Sequence, residues 1–329
     1  MKNKVVIIFT GGTISMRIDP TLHAAIPSLN SDEIMAMVTN IENFAEIERI
    51  NFGNLPSPHI TPPIMMDLAR IVKLNIERED VTGVIVTHGT DTLEETAYLL
   101  DLIINSEKPI IVVGAMRNSS ELGYDGSSNL AASICTAISA RAKNKGVLVV
   151  MNNEVNAASQ VTKTNTLSLD TFKSPEFGPL GIVDNDEVIF YRDIVSRQFI
   201  DTDILENKVA LIKSVPGMES DILDFYIDTQ YKGIVIEALG RGNLPPAMLP
   251  GIKRAIDNHI PIVMVSRCPT GRVLDTYGYE GGGRNLRDMG VILGGNLPGQ
   301  KARIKLMLIL GVTNDLTQIS ELFQQSLLK

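Results

Sequence analysis

The chain contains little of what metal sites, nucleic-acid surfaces and membrane spans require. Its 329 residues include two cysteines and four histidines, and neither residue type falls in a spacing that binds zinc. Acidic residues outnumber basic ones, and the formal net charge of −8 argues against a nucleic-acid partner, because phosphate neutralisation needs clustered lysine and arginine. No apolar run approaches the length of a membrane span. We therefore expect a small-molecule ligand, with no nucleic acid, membrane or metal involved.

Composition and the first residues predict the class of protein and its compartment. Hydrophobic residues make up 44% of the chain and charged residues 21%, which is typical of a globular protein with an ample core. The chain exceeds the length at which one core usually keeps growing, so two domains are expected. Only five apolar residues follow Met-Lys-Asn-Lys before Thr10, too few for the hydrophobic region of a secretory signal. We expect a cytoplasmic protein.

Strand-like and helix-like patterns alternate along the chain, which predicts an α/β fold with mainly parallel sheets. A polar, charge-rich stretch interrupts this alternation, and we place a linker there (192–207) between a larger N-terminal domain (1–191) and a smaller C-terminal domain (208–329). The first domain is predicted to contain strands near 4–9, 47–52, 83–87, 109–113 and 146–151, and helices near 31–39, 62–79, 92–104 and 127–142. The second is predicted to contain strands near 209–212, 233–237 and 261–265, and helices near 246–258, 300–310 and 314–326.

Two glycine-threonine turns each follow an apolar strand-like run. Thr10-Gly11-Gly12-Thr13 follows Val5-Val6-Ile7-Ile8-Phe9, and His88-Gly89-Thr90-Asp91 follows Val84-Ile85-Val86-Thr87. Ligands of open parallel sheets bind at the carboxyl ends of the strands, so both threonine hydroxyls reach one region if the two strands lie close together. Each turn alone is equally compatible with a plain loop. A phosphate-binding loop is disfavoured, because no Gly-Lys-Ser/Thr follows the first turn and the G-x-G-x-x-G spacing is absent.

A threonine hydroxyl acts as a nucleophile when a base activates it. The candidate base is Lys163, in the polar segment Val161-Thr162-Lys163-Thr164-Asn165. A lysine accepts a proton only where its surroundings favour the neutral form. Taken alone, Lys163 is best interpreted as a plain surface lysine, and only its neighbours can give it a chemical role.

Together these segments resemble the bacterial-type L-asparaginase family. The two threonine turns and the lysine segment carry the resemblance, and further matching segments occur in order along essentially the whole chain. These are Glu94-Glu95-Thr96-Ala97, Gly114-Ala115-Met116-Arg117, Thr171-Phe172-Lys173-Ser174-Pro175, Gly178-Pro179-Leu180-Gly181, Gly242-Asn243-Leu244 and Gln300-Lys301-Ala302-Arg303.

The resemblance implies hydrolysis of L-asparagine to L-aspartate and ammonia, with some glutaminase activity left open and no cofactor. By motif position Thr13 resembles the primary nucleophile, while Thr90, Lys163 and Asp91 resemble the second catalytic group. In that group Lys163 takes the proton of Thr90, and Asp91 holds the lysine ammonium and meets the substrate amino group. Ser57 matches the serine that binds the substrate carboxylate. Glycine-turn amides, at Gly12 and Gly89, complete the substrate site, since such N–H groups stabilise an oxyanion.

Two departures from the family pattern shape the remaining expectations. Segment 16–30, a mobile lid in the family, contains no tyrosine to activate Thr13; Tyr277 is the candidate substitute, with a water or the Ser15 hydroxyl as alternatives. The family also takes an acidic residue from a neighbouring subunit, and Glu280 is the candidate here, with a solvated loop glutamate as the alternative. Asn243 matches a family residue and is equally compatible with a turn asparagine. The resemblance thus implies a homodimer or homotetramer.

Two other functions remain open beside the asparaginase. One is the subunit that supplies ammonia for tRNA-dependent amidation, for which we expect an additional N-terminal domain and a basic surface. The other is an amino-acid-binding or regulatory protein with weak catalysis, which the absent lid tyrosine favours. Release of ammonia beyond one equivalent separates this last alternative from an enzyme.

Overall fold

The computed structural model describes residues 2–38 and 44–324 of the chain. The chain divides into two compact units, Met1–Phe199 and Ile200–Lys329. The division lies inside the segment 192–207; the predicted extent of the linker and the domain limits stay predictions. The predicted fold class is confirmed: the first unit is larger with a mainly parallel sheet, and the second is smaller with an all-parallel sheet.

The first unit contains twelve strands and four helices among its described residues. The strands are β1 (Lys4–Gly11), β2 (Met16–Asp19), β3 (Ala24–Pro27), β4 (Glu46–Leu55), β5 (Gly83–Thr87), β6 (Ile110–Val113), β7 (Val147–Met151), β8 (Glu154–Ala157), β9 (Thr162–Lys163), β10 (Phe172–Lys173), β11 (Gly181–Asp184) and β12 (Glu187–Phe190). The helices are α1 (Ser31–Ala36), α2 (Pro62–Ile76), α3 (Leu93–Ile103) and α4 (Gly126–Ile138).

Eight of these strands form one sheet, in the order β12-β11-β8-β7-β6-β5-β1-β4. The strands from β7 to β4 are parallel, whereas β8, β11 and β12 extend the sheet in antiparallel fashion. The chain runs from β1 to β4 on one side and then to β5 on the other, so the strand order reverses beside β1. Such a switch point opens a crevice at the carboxyl ends of the strands. Both threonine turns lie at this end.

The central strands are continuous apolar runs because both faces of a parallel sheet are covered. Every residue of β5, β6 and β7 is buried, as are Val5 to Gly11 of β1. Helix α3 contributes a nearly continuous buried surface, including Leu93, Leu99 and Leu100, each with no exposed area. This packing gives the turns that end β1 and β5 a rigid base.

The second unit consists of a four-stranded parallel sheet, in the order β13-β14-β15-β16, and five helices among its described residues. In its core, buried apolar residues pack between the sheet and the helices, among them Ile234, Ile236, Met248 and Ile262. The elements are β13 (Val209–Lys213), α5 (Asp221–Asp228), β14 (Gly233–Ala238), α6 (Leu249–Asp257), β15 (Ile262–Ser266), α7 (Gly283–Asp288), β16 (Ile292–Leu293), α8 (Gly299–Val312) and α9 (Leu316–Gln324).

The structure corrects several predicted boundaries. The helix predicted at 31–39 ends at Ala36, that at 62–79 ends at Ile76, and that at 127–142 ends at Ile138. Residue 39 of the first prediction, and residues 325 and 326 of the helix predicted at 314–326, lie outside the described residues. The hairpin β2–β3, the five strands β8 to β12, helices α5 and α7, and β16 were not predicted. Most of them are too short for periodicity to indicate.

Candidate active site

The two threonine turns touch each other through glycine backbone. Gly12 has φ +80°, and a Cβ atom at this position would lie 2.3 Å from both the Cα and the N of Gly89. Such a distance is impossible for a side chain, so only glycine permits this approach. Strands β1 and β5 are direct parallel neighbours, with Phe9 opposite Thr87. The two turns therefore form one surface at the switch point.

Thr13 begins a short 3₁₀ turn, Thr13–Ser15, directly after this contact. Thr13 itself is half-buried, whereas Ile14 and Ser15 are buried. The Ser15 hydroxyl donates to the carbonyl of Gly12 at 2.8 Å and contacts Oδ1 of Asn54 at 2.9 Å. The Gly12 amide donates to the Leu55 carbonyl at 2.9 Å. The end of β4 thus holds the turn that carries Thr13.

Lys163 joins the second threonine to its neighbouring aspartate. Its Nζ donates to Thr90 Oγ1 at 2.9 Å and to Asp91 Oδ1 at 2.8 Å. The Thr90 side chain is buried, and the Lys163 side chain is 17% exposed while that of Asp91 is 63% exposed. The structure therefore brings together a lysine and two residues more than 70 positions earlier in the sequence, with the carboxylate on the solvent side.

Lys163 is placed by a small hairpin. Strand β9 pairs with β10 so that Lys163 lies opposite Phe172, which is buried. The buried Thr171 closes the loop of the hairpin: its carbonyl accepts from the Thr164 amide at 2.9 Å, and its hydroxyl accepts from the Asn165 amide at 2.7 Å. The polar segment that contains Lys163 thus forms one strand of a hydrogen-bonded hairpin, which explains how a lysine can be held at a defined place.

Ser57 lies beside the second turn. A Cβ atom on Gly89 would stand 2.8 Å from both Cβ and Oγ of Ser57, so this contact also requires glycine. The Ser57 hydroxyl accepts from the Asp91 amide at 3.3 Å, and the Ser57 carbonyl accepts from the Thr92 hydroxyl at 3.0 Å. Sequence reasoning did not anticipate the Thr92 contact, which places the start of α3 against the segment after β4.

The His88 side chain connects the turn that carries Thr90 to helix α3. Its Nδ1 lies 2.8 Å from the Gly89 carbonyl and its Nε2 lies 2.8 Å from the Thr96 hydroxyl. Complete burial lowers the pKa of His88 to about 4, so the imidazole is neutral near pH 7. In the described part of the chain, no group of three or more His, Cys, Asp or Glu side chains could hold a metal ion.

The remaining candidates, Asn243, Tyr277 and Glu280, lie in the second unit. The Leu244 amide, which follows Asn243, donates to the Gly281 carbonyl at 2.8 Å, so the asparagine turn adjoins the glycine-rich loop. Tyr277 and Glu280 are exposed on that loop, and Oδ1 of Asn243 is buried without a hydrogen-bond partner among the described residues. The structure brings the asparagine turn and the glycine-rich loop together. Their predicted relation to Thr13 stays a prediction.

Comparison with known proteins identifies the family. Residues 4–196 match the family model described as "Asparaginase, N-terminal", and residues 208–323 match the "Glutaminase/Asparaginase C-terminal domain". The chain belongs to the asparaginase family. The resemblance seen in the sequence is confirmed.

Three relatives show how far the similarity of this asparaginase-family chain extends. An L-asparaginase from Bacillus licheniformis is 34% identical over 310 residues, which cover 94% of this chain and 96% of that protein. A subunit of the glutamyl-tRNA(Gln) amidotransferase of Pyrococcus furiosus is 35% identical, over 97% of this chain and 74% of its own. A crystal structure of the probable cytoplasmic L-asparaginase from Campylobacter jejuni superposes with a TM-score of 0.88 at 33% identity, covering 98% of this chain and 99% of that one.

Every helix in the described part of this family member is too short or too polar to cross a bilayer.

One contact near Thr13 was not predicted from the sequence. The phenol of Tyr124 donates to the carbonyl of Ile14 at 2.8 Å, across 110 residues of sequence. No local pattern around Tyr124 indicates this partner, because the contact depends on how the loop after β6 folds back over the end of β1.

Proposed function

We propose that this asparaginase-family chain hydrolyses the side-chain amide of L-asparagine to L-aspartate and ammonia, with minor glutaminase activity. The observation that supports it best is the position of Lys163, whose Nζ contacts both the Thr90 hydroxyl and the Asp91 carboxylate beside the turn of Thr13. The Bacillus licheniformis and Campylobacter jejuni relatives, both named L-asparaginases, support the same substrate.

In this proposal Thr13 is the nucleophile of the first step. Its oxygen bonds to the amide carbon of the substrate, and after the C–N bond breaks the nitrogen leaves as ammonia. An aspartyl ester on Thr13 remains, which water then hydrolyses to release L-aspartate and restore the hydroxyl. Backbone N–H groups of the Gly12 and Gly89 turns are suited to the negative charge on the tetrahedral oxygen, because they are fixed before the reaction.

Thr90, Lys163 and Asp91 act as the second catalytic group. Lys163, as the neutral amine, takes the proton of Thr90 and becomes the ammonium that Asp91 holds in place from its solvent side. Asp91 also binds the substrate ammonium, while Ser57 binds the substrate α-carboxylate. One carboxylate together with hydrogen-bond donors matches the two charges of an amino-acid zwitterion.

We further propose that the working unit is a homodimer or homotetramer in the cytoplasm, in which Glu280, Asn243 and Tyr277 complete a site. This part rests on the family resemblance and on the adjacency of the asparagine turn and the glycine-rich loop within the second unit. Sedimentation measures the assembly directly. Specific activity that rises with protein concentration supports the proposal, and a fully active monomer contradicts it.

The experiment for the activity is ammonia release from L-asparagine by the wild type and by Thr13→Ala. The variant removes one half-buried hydroxyl and keeps both glycines, so we expect a stable protein with no turnover. Thr82→Ala, at the opposite end of β5, is the matched control and should stay fully active. Mass spectrometry of a quenched reaction should find an added aspartyl group on the peptide that contains Thr13.

The alternatives give different results in the same assay. A binding or regulatory protein releases no more than one equivalent of ammonia. An amidotransferase subunit, the function named for the Pyrococcus furiosus relative, releases ammonia efficiently only with its tRNA-dependent partner. Thr13→Ala with wild-type kcat contradicts the assignment of the nucleophile even when the wild type is active.

A further inference from the structure

The loop between β6 and α4, residues 116–125, is hydrogen-bonded to the segment that follows Thr13. Its contacts fall on alternate residues of that segment. The Tyr124 phenol donates to the carbonyl of Ile14 at 2.8 Å, and the amide and hydroxyl of Ser119 donate to the carbonyl of Met16 at 3.0 and 2.9 Å. The loop therefore runs alongside the segment that follows Thr13, and its first contact is with Ile14.

Asp125, next to Tyr124, anchors this loop to the sheet. Its carboxylate accepts from the amides of Met116 and Arg117 at 2.9 to 3.1 Å, and from Asn129 Nδ2 at 2.9 Å. Nδ2 of Asn129 also contacts the carbonyl of Gly114, just past the end of β6, at 3.1 Å. Both Asp125 and Asn129 are buried. The position of Tyr124 is thus fixed from the sheet side, independently of the segment that it contacts.

The absence of a side chain at Gly126 leaves room for the phenol of Tyr124. A Cβ atom on Gly126 would lie 2.2 Å from the Tyr124 hydroxyl oxygen and 2.4 Å from Cζ. Burial raises the pKa of Tyr124 well above its usual range, so the phenol keeps its proton and remains a hydrogen-bond donor near neutral pH. Ile14, whose carbonyl accepts this bond, has no exposed area.

We propose that Tyr124 is a positioning residue for Thr13: its phenol, held by Asp125 and seated over Gly126, fixes the carbonyl of Ile14 and with it the turn that presents the Thr13 hydroxyl. The inference rests on the proposed function for its catalytic consequence. Its structural content is independent of the substrate. A nucleophile needs its attack geometry before the substrate reacts, and a misplacement of about 1 Å can cost about 100-fold in rate.

The test compares Tyr124→Phe with Tyr191→Phe, an exposed tyrosine of the same unit. We expect Tyr124→Phe to lower kcat for ammonia release by about tenfold or more, with KM within about threefold, because the residues assigned to substrate binding are untouched. The midpoint of thermal unfolding should stay within about 3 °C. Tyr191→Phe should match the wild type. A kcat for Tyr124→Phe within threefold of wild type overturns the proposal, as does a rise in KM that accounts for the whole loss.

Gly126→Ala provides a second variant that keeps the hydroxyl. The new methyl group must displace the phenol from Ile14, so kcat should fall as in Tyr124→Phe. In a Tyr124→Ala background the same Gly126→Ala change should have no further effect, because nothing remains to be displaced. If Tyr124→Phe does not fold, Gly126→Ala alone decides, and a kcat within threefold of wild type overturns the proposal. Equal losses from Gly126→Ala with and without Tyr124 refute a role for the phenol.

Hydrogen exchange separates this inference from the proposed function. The amides of Ser15 and Met16 donate to the carbonyls of Gly12 and Thr13, and they should exchange faster in Tyr124→Phe than in the wild type. If the wild type releases no ammonia, the proposed function fails, and faster exchange at these amides still supports the positioning role. Unchanged exchange in the variant overturns it.

Discussion

The backbones of Gly12 and Gly89 are in direct contact, so closely that a Cβ atom on Gly12 would lie 2.3 Å from the Gly89 Cα. This contact joins the two threonine turns at the carboxyl ends of adjacent strands. Close approach of backbone to backbone is the property that only glycine supplies. The relative position of Thr13 and Thr90 therefore depends on two residues that have no side chain.

Gly12→Ala should separate the turns and reduce ammonia release by about 100-fold or more. The φ of +80° adds strain of roughly 1–3 kcal/mol, so the free energy of unfolding should also fall. Gly217→Ala is the matched control, because Gly217 has φ +75° but a Cβ atom added there would have no atom within 4 Å. It should show the strain without the loss of rate. Equal activity losses in both variants contradict the importance of the contact.

Thr90 and Lys163 should behave as one catalytic unit. Thr90→Val and Lys163→Met should each lower kcat by about 100-fold or more, and the double variant should lose little beyond either single one, because each change already removes the shared function. Lys173→Met is the control from the same hairpin, where the ammonium pairs with Glu154 at 2.8 Å. Its kcat should stay within a few-fold of wild type. Additive losses from Thr90→Val and Lys163→Met argue that the two residues act separately.

Tyr277→Phe tests the proposed partner of the Thr13 hydroxyl. The substitution removes one oxygen and keeps the ring, so a fall in kcat/KM of more than about fivefold, or about 1 kcal/mol, indicates that the phenol takes part. The rings of Tyr279 and Tyr277 are tilted against each other with centroids 5.7 Å apart, which makes Tyr279→Phe the natural control for changes in loop packing. Activity of Tyr277→Phe within a few-fold of wild type leaves a water or the Ser15 hydroxyl as the partner.

His88 should make the stability of the first unit depend on pH. Its pKa is lowered to about 4 in the folded chain, against about 6.5 when unfolded. Between these values the unfolded chain binds more protons, so the free energy of unfolding should decrease as pH falls from about 6.5 to 4, by up to about 3 kcal/mol. Urea unfolding at several pH values measures this slope. His88→Gln should flatten it, and an unchanged slope in that variant assigns the effect to other groups.

The sequence alone predicts the fold class well because the parallel strands are continuous apolar runs separated by amphipathic helices. The hairpin β9–β10 and helix α7 were beyond such reasoning: β9 has two residues and α7 has six, and neither length can establish a periodicity. These elements are stabilised by tertiary contacts instead, as the Thr171 hydrogen bonds show for the hairpin that carries Lys163.

In the candidate site, too, some residues could be predicted from local sequence patterns and others could not. The motif residues near strand ends, such as Thr13 and Thr90, follow directly from the pattern of strand and glycine turn. The contact between Lys163 and Thr90 follows only from a family resemblance, since no local rule links residues 73 positions apart. Tyr124 was missed because its neighbours in sequence say nothing about Ile14. Polar contacts between residues far apart in sequence form only when the chain has folded, and no periodic pattern in the local sequence indicates them.

Since the two turns end neighbouring hydrogen-bonded strands, their separation is set by the spacing of the sheet, about 4.8 Å between strands. Backbone pairing between β1 and β5, from Val5 opposite Gly83 to Phe9 opposite Thr87, maintains this distance whatever apolar side chains the strands carry. Cores tolerate apolar substitutions that conserve volume. Apolar residues in this part of the core can therefore be exchanged to increase heat resistance while the distance between the Thr13 and Thr90 hydroxyl groups is kept.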